Sequence, residues 1–296
     1  MKQYSAAQTR DALPFPALVE ALARTAREYA EGAILCPERS VVPAPGSSTL
    51  LMTMPSVSQK LLVTKLLTIC PGNVGTDRPT IQGQVTCARA QTGELLFSLD
   101  GPTVTMRRTS AISLLGVRLL ARGPVRRVLM IGTGTQARAH CEAFAALYPD
   151  ITLVVRARTP DRAIAFCQQQ ADLPLEIRPE QPHEEHFDVV VTVTSSRAIL
   201  YDGPPDPKCL VIGVGAFQPD MIEVGPQIVR NSTVYVDDVA GAPSEAGDLI
   251  QAGVNWTDVQ ALASALHTPP PKGQPVFFKS VGCAAWDLAA CRVLTE

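Results

Sequence analysis

A chain of 296 residues with 46% hydrophobic content can bury a large core and is long enough for two domains. Its formal net charge of −2 gives no electrostatic reason to expect nucleic acid or an anionic membrane as a partner. No apolar run approaches the length needed to cross a bilayer, and the opening MKQYSAAQTRDALPF lacks the basic start and apolar run of a signal peptide, so a cytoplasmic protein is expected. The eight cysteines are scattered without a C-x-x-C pair and read as reduced, mostly buried thiols.

Residues 16–32 are helix-like, with Leu18, Ala21, Leu22, Thr25 and Tyr29 on one face. After Pro37 the pattern changes to short apolar runs broken by Gly and Pro. Residues 49–54, 61–69, 82–89 and 94–99 read as strands, with Gln91-Thr92-Gly93 as the hairpin turn between the last two. Within the second run, Lys65 is a basic residue in an otherwise apolar strand, which is costly unless it is paired or functional. Residues 109–120 are expected to form the helix that leads out of this sheet, and Gly123-Pro124 marks a boundary.

The next stretch, Arg127-Val-Leu-Met-Ile-Gly132-Thr133-Gly134-Thr135-Gln136-Ala137, is an apolar strand running into Gly-x-Gly-x-x-Ala and then an Ala-rich helical segment up to Leu147. The first glycine allows a tight turn, the second lets backbone approach a pyrophosphate, and the small third residue lets helix and strand pack closely. The flanks fit a dinucleotide-binding unit: residues 151–155 read as a second strand, 162–170 as a second helix and 188–193 as a later strand. An NAD-specific site places a carboxylate at the end of the second strand, roughly 20 residues past the glycines. Here that place reads Val155-Arg156-Ala157-Arg158-Thr159, with no acid until Asp161. Two guanidiniums and a hydroxyl suit a 2′-phosphate, so NADPH is the expected cofactor, with NADH the second choice.

The cluster His183-Glu-Glu-His186 lies in a polar stretch beside Pro179 and Pro182 and is expected to be a solvated loop, with no metal bound. Residues 209–215 and 233–238 read as further parallel-type strands, being short and continuously apolar. A stiff proline-rich loop at 267–275 precedes a last strand-like run, 276–282, and an amphipathic helix, 284–294. The expected division is therefore a first domain of residues 1–122, completed by 267–296, and a dinucleotide-binding domain of residues 123–266.

Together these pieces resemble the ornithine cyclodeaminase/mu-crystallin family along nearly the whole chain. The matching residues are Pro37-x-Arg39, Lys65 with Pro71-x-Asn73, Thr92-Gly93, Thr105-x-x-Arg108-Thr109-x-Ala111 and the glycine motif. They continue with Gly215-Ala216, Pro219 and Glu223, then Glu245-Ala-Gly247-Asp-Leu and Phe278-Lys-Ser-Val-Gly282. The resemblance implies an α/β fold: a Rossmann-type doubly wound parallel sheet plus an α+β domain for substrate binding and dimerisation, assembled as a homodimer. It implies that Arg39, Lys65 and Arg108 converge on a substrate carboxylate. It also implies a dinucleotide site made of Thr109, Gly132, Thr133, Gly134, Thr135, Gln136, Ala137, Arg156, Arg158, Thr159, Thr192, Thr194, Val214, Gly215, Ser280 and Gly282.

One departure from the family pattern is informative. The cyclodeaminases read Gly-Asp-x-Pro-x-Lys-x-Glu-Leu where this chain reads Gly215-Ala-Phe217-Gln-Pro219-Asp220-Met221-Ile-Glu223-Val. Aligned on Pro and Glu, the Asp has become Phe217 and the Lys has become Met221, and a phenyl ring can neither accept a proton nor hold an ammonium. Ornithine cyclodeamination is therefore disfavoured. The resemblance points instead to the ketimine reductases: NADPH-dependent reduction of Δ1-pyrroline-2-carboxylate or Δ1-piperideine-2-carboxylate to L-proline or L-pipecolate. Phe217 is expected to form apolar wall against the cyclic imino acid. The sequence names no proton donor; Asp220 is the one candidate. Two alternatives stand beside this reading, an amino-acid dehydrogenase or reductive aminase acting on a keto acid, and a non-enzymatic NADPH binder like the crystallins. Retention of all three carboxylate-binding cations favours an enzyme.

Overall fold

The computed structural model describes every residue of the chain except Glu185. It divides into two units, residues 1–108 with 283–296 and residues 109–282. In chain order the first elements are β1 (Lys2–Gln3), α1 (Ala6–Ala12), α2 (Phe15–Ala30), β2 (Ser40–Pro43), β3 (Leu50–Val57), β4 (Leu61–Ile69), β5 (Ile81–Arg89), β6 (Leu95–Asp100) and α3 (Gly101–Leu120). There follow β7 (Arg127–Ile131), α4 (Thr135–Leu147), β8 (Thr152–Arg156), α5 (Pro160–Gln169), β9 (Glu176–Pro179), β10 (Val189–Thr192), β11 (Arg197–Tyr201), β12 (Leu210–Gly213) and β13 (Ile222–Val224). The last are α6 (Pro226–Arg230), β14 (Thr233–Val236), α7 (Ala242–Glu245), α8 (Gly247–Ala252), β15 (Gln260–Ala261), β16 (Val276–Lys279) and α9 (Ala284–Thr295). Among the described residues no helix is long and apolar enough to cross a membrane.

The first unit is a six-stranded sheet in the order β1-β6-β5-β4-β3-β2, antiparallel except for the β1–β6 edge. On β4 burial alternates, and Leu61, Val63, Lys65 and Leu67 share the buried face. α9, buried along nearly its whole length, packs on that sheet and on α2. Arg292 of α9 fastens it to α2, its guanidinium donating to Thr25 Oγ1 (2.9 Å) and Glu28 Oε2 (2.5 Å).

The helix expected from residue 109 begins eight residues earlier. Asp100 accepts from the Thr103 amide (2.9 Å) and hydroxyl (2.5 Å), a side-chain cap that starts α3 at Gly101 with Pro102 in its first turn. Arg108 thus sits inside a helix rather than at its start.

The second unit is an eight-stranded, wholly parallel sheet in the order β15-β14-β16-β12-β10-β7-β8-β9. This is the α/β doubly wound architecture. Strand order reverses beside β7, and in such sheets ligands bind where the strands end at that reversal. β11 and β13 form a separate two-stranded parallel pair.

The unit boundaries fall at 108/109 and 282/283 rather than 122/123 and 266/267, for two physical reasons. β16 lies between β12 and β14, so the run after the proline-rich loop belongs to the parallel sheet and not to the first unit. The later part of α3 lies so close to β16 that a Cβ on Gly116 would come within 2.6 Å of the Phe278 ring.

α4 and α3 are locked by His140, which is fully buried. Its Nδ1 lies 2.7 Å from the Gln136 carbonyl and its Nε2 lies 3.0 Å from the Ser113 hydroxyl. The first pair requires Nδ1 to carry the proton, so the neutral ring fills both bonds. Burial pulls its pKa from 6.5 down to about 4, against the opposing pull of the Gln136 carbonyl. Because the unfolded chain takes up this proton first, the neutral ring's contribution is intact above pH 6.5 and is lost as pH falls toward about 4. The full loss is on the order of 3 kcal/mol. His140→Gln, which cannot titrate, should therefore narrow the difference in unfolding free energy between about pH 7.5 and about pH 5. An unchanged difference in denaturant melts would show that other groups set the acid sensitivity.

Candidate active site

In the second unit, β7 ends at Ile131 and the chain turns through Gly132, whose φ of 128° favours glycine. A Cβ there would also lie 3.0 Å from the Val193 carbonyl. Gly134 caps α4 without a side-chain hydrogen bond, and a Cβ on it would meet nothing within 4 Å. Its smallness is not demanded by this chain's own packing, which leaves backbone accessible beside a helix N-terminus, the arrangement that suits an anion. Ala137 is fully buried, as close helix–strand packing requires. A cleft of about 650 Å³ opens here, lined by residues 131–136, Arg156, Ala157, Arg158, Arg162, residues 193–196 and Leu200. Buried Gln136 Oε1, in the cleft wall, has no hydrogen-bond partner among the described residues. An open glycine, an uncapped helix and an orphaned acceptor are the features a dinucleotide would use.

The arginines at the end of β8 divide. Arg156 is engaged within the chain: Glu180 takes its Nε (2.6 Å) and a terminal nitrogen (2.5 Å) as a two-pronged pair. The cause is parallel register, since Val155 pairs with Pro179 and the next residue on each strand meets the other. Arg158 is exposed and has no hydrogen bond or ion pair among the described residues, and Arg162, in the first turns of α5, matches it. Sequence reading missed Arg162, whose signal was its spacing of four from Arg158. Thr159 is the exposed residue that caps α5.

The loops that carry the remaining residues expected at a dinucleotide are held from below by buried carboxylates. Glu223 accepts from the Thr194 amide (2.5 Å), the Gly215 amide (2.7 Å) and the Thr192 hydroxyl (2.9 Å). Thr192 is thereby committed to Glu223, correcting its assignment to the cofactor. Gly215 admits no side chain, because a Cβ would lie 1.8 Å from the Thr194 carbonyl. Val214 is buried beside it. Asp248 accepts from the Glu223 and Val224 amides (2.7 and 3.0 Å) and forms a fully buried ion pair with Lys279 (3.0 Å). Asp237 accepts from the Ser280 hydroxyl (3.1 Å) and the Val281 and Gly282 amides (2.6 and 3.2 Å). Ser280 is therefore also turned to a carboxylate of its own chain. Thr109, at the start of the unit, is buried.

In the first unit, Lys65 and Arg108 meet one carboxylate that sequence reading missed. Asp287 of α9 lies 2.9 Å from Lys65 Nζ through Oδ2 and 3.6 Å from Arg108 Nε through Oδ1. All three side chains are buried, Lys65 at 1% and Asp287 at 0% exposure. Arg108 Nε has no hydrogen bond among the described residues. Arg39, half-buried before β2, is close enough for its charge to oppose that of Lys65.

Other candidates fare differently. Asp220 lies at the surface, 62% exposed, in an ion pair with Arg197 (2.7 Å) that holds its carboxyl below the usual range. A carboxylate kept ionised in water is no proton donor, so Asp220 is withdrawn. Phe217 is 47% exposed and Met221 is buried. Of the polar cluster at 183–186, Glu185 lies outside the described residues. Glu184 is bound to Arg178 (2.5 Å) and Arg127 (2.6 Å), and Arg178 first of all lowers it to about 2. Among the described residues no three metal-binding side chains gather.

Comparison with known proteins agrees with this architecture. The chain is 47% identical over 295 residues to a Δ1-pyrroline-2-carboxylate reductase of Burkholderia multivorans, covering 99% of this chain and 94% of the relative. It is 46% identical, with the same coverage, to a Δ1-pyrroline-2-carboxylate/Δ1-piperideine-2-carboxylate reductase of Azospirillum brasilense. In fold it is similar to the Thermococcus litoralis Δ1-pyrroline-2-carboxylate reductase solved in complex with NADH and L-proline. The TM-score is 0.88 at 23% identity, over 99% of this chain and 96% of that one. The profile of the ornithine cyclodeaminase/mu-crystallin family matches residues 4–296, and the chain belongs to that family.

Proposed function

We propose that the chain is an NADPH-dependent reductase of a cyclic imino acid, Δ1-pyrroline-2-carboxylate or its six-membered homologue, forming L-proline or L-pipecolate. The observation that carries this reading is the near-complete match, at 46–47% identity, to reductases named for these substrates, in a chain that keeps both sets of binding groups. Bound NADPH supplies hydride chemistry. The chain's own part is to bind and orient. Lys65 and Arg108, with Arg39, would hold the imino-acid carboxylate, and hydride transfer rewards such aim because misplacing a reacting carbon by about 1 Å can cost roughly a hundredfold. The imine nitrogen is the electron sink, so no ammonia-handling carboxylate is needed, in keeping with Phe217 and Met221 where the cyclodeaminases have Asp and Lys. Phe217, exposed on its loop, is the proposed apolar contact of the ring. A pure NADPH binder has no use for buried cations in the first unit.

The cofactor preference is proposed to rest on Arg158 and Arg162, with Thr159 beside them, and not on Arg156, which Glu180 has closed. The remaining dinucleotide contacts are proposed at 132–137 and, through their backbones, Thr194, Val214, Gly215 and Gly282. We also propose a homodimer. Val42, Leu51, Val57 and Leu66 stand on the outer face of the first sheet, 39–53% exposed, where neighbouring strands make an apolar patch that water does not favour.

Three measurements test these assignments. Purified protein should oxidise NADPH with either cyclic imine and release no ammonia from L-ornithine plus NAD; proline made steadily from ornithine would refute the reading of the 215–224 loop. Arg158→Ala should weaken NADPH roughly ten- to a hundredfold, from loss of a charge-assisted bond of about 1.5–3 kcal/mol, and leave NADH little changed. Equal loss for both cofactors would take Arg158 out of the phosphate site. By sedimentation, the wild type should be a dimer and the double variant Leu51→Lys/Leu66→Lys a monomer; a variant that stays dimeric would place the interface elsewhere.

A further inference from the structure

Two of the cations assigned to the substrate carboxylate are buried, and buried ammonium groups release protons far more readily than free ones. Burial lowers the Lys65 pKa from 10.5 to about 8, and the charges of Arg108 and Arg39 push the same way; only Asp287 opposes them, by charge and by hydrogen bond. Two thiols are among the neighbouring titratable groups, Cys291 on α9 and Cys87 on β5. Contact with Cys87 and burial raise Cys291 well above the usual thiol range, so it brings no charge, while contact with Cys291 lowers Cys87.

The geometry is that of a clamp on two arms. Asp287 Oδ1 and Oδ2 lie 3.2 and 2.9 Å from Lys65 Nζ, and Oδ1 lies 3.6 Å from Arg108 Nε. The three residues come from β4, α3 and α9, so no local segment fixes their spacing. Among the described residues no second carboxylate pairs with Lys65 or Arg108. The trio is therefore left with one surplus positive charge in a buried place, while an ammonium with three donors has one partner residue. A buried uncompensated charge is costly, and a bound carboxylate removes that cost.

We propose that Asp287 is the positioning residue of the substrate site: it holds Lys65 and Arg108 side by side and keeps Lys65 charged, so that the two together receive one substrate carboxylate. This rests on the imino-acid reductase reading. Asp287 acts through its two partners and touches no substrate atom in this account. Its removal should change how carboxylate binding depends on pH, which a purely structural residue would not do.

The test uses pyrrole-2-carboxylate, a flat ring carboxylate that cannot accept hydride and does not titrate in the neutral to mildly alkaline range. Its Kd for the NADPH-loaded protein is measured by calorimetry from about pH 6 to about pH 9. For the wild type, affinity should hold at low pH and fall as pH rises past about 8, where Lys65 loses its proton. For Asp287→Asn the fall should come at lower pH, weakening binding about tenfold or more near pH 7.5, with much of the loss regained near pH 6. Adding Lys65→Arg to that variant should remove the pH dependence, since a guanidinium stays charged. An Asp287→Asn profile parallel to the wild type, or tighter binding at every pH, would overturn the proposal, as would a uniform loss accompanied by a lower Tm. Should Asp287→Asn fail to fold, Asp287→Glu carries the test: the charge stays while the arms shift, so affinity should drop at an unmoved midpoint, and unchanged affinity would refute the role. Wild-type protein that does not reduce the imine would overturn the parent reading together with this one. Wild type that does so, beside an indifferent Asp287→Asn, overturns this one alone.

Discussion

A parallel sheet has to end, and at its carboxyl edge the strands release into loops whose amides no neighbouring strand can satisfy. In this chain Glu223 and Asp237 take up those amides from inside the protein, and Asp248 in turn holds the β13 amides of Glu223 and Val224. An amide left buried without a partner costs about 1–3 kcal/mol, so several in one small region would make these loops an ensemble rather than a surface. The carboxylates make them a surface. The consequence is stringent packing above them: Gly215 can carry no side chain, because the Thr194 carbonyl occupies the space a Cβ would need. Burial raises the Glu223 carboxyl, and the charge of Lys279 pulls it back, so the edge depends on the ion pair beneath it as well.

Charge in this protein follows one logic. Where a charged side chain serves the fold, its partner is supplied from within, as with Lys279 and Asp248, Arg156 and Glu180, or Arg292 and Glu28. Where it serves a ligand, the balance is left open. Arg158 and Arg162 line the cleft beside Gly132 and Gly134 without a partner among the described residues, and Lys65 with Arg108 outnumber Asp287. Buried charge is expensive enough that an open balance persists only where something else closes it. Arg156 and Arg158 differ in this way: the first is paired with Glu180 and the second is exposed without a pair among the described residues.

What the sequence made legible was local. The run 61–69, one basic residue in an otherwise apolar stretch, is a strand over those same nine residues, with burial alternating along it. Gly132 and Ala137 each have a steric reason that can be read from spacing alone. What it hid was set by neighbours distant along the chain. Residues 276–282 announced a strand but not its place, because four apolar residues fit any position in a buried sheet. The fate of Arg156 depended on a parallel register across 24 residues. Residues 284–294 read as an amphipathic helix, whereas α9 is buried from Ala284 to Arg292, Asp287 included. The early start of α3 was signalled by Asp100 and Pro102, which a hydrophobic pattern search passes over.

The position of β16 has a consequence for synthesis. Its four residues lie between β12 and β14, so the parallel sheet has a gap near its middle until Lys279 has left the ribosome. Strands from Thr233 to Ala261 cannot join the sheet before then, since β14 and β15 attach only through β16. The first unit waits longer still, for α9 covers its sheet. Neither unit can close before its late segment has been made, although domains commonly fold one after another as they emerge. Until then an apolar strand edge and a bare sheet face stay exposed. Such a nascent chain is a natural client for factors that shield hydrophobic surface.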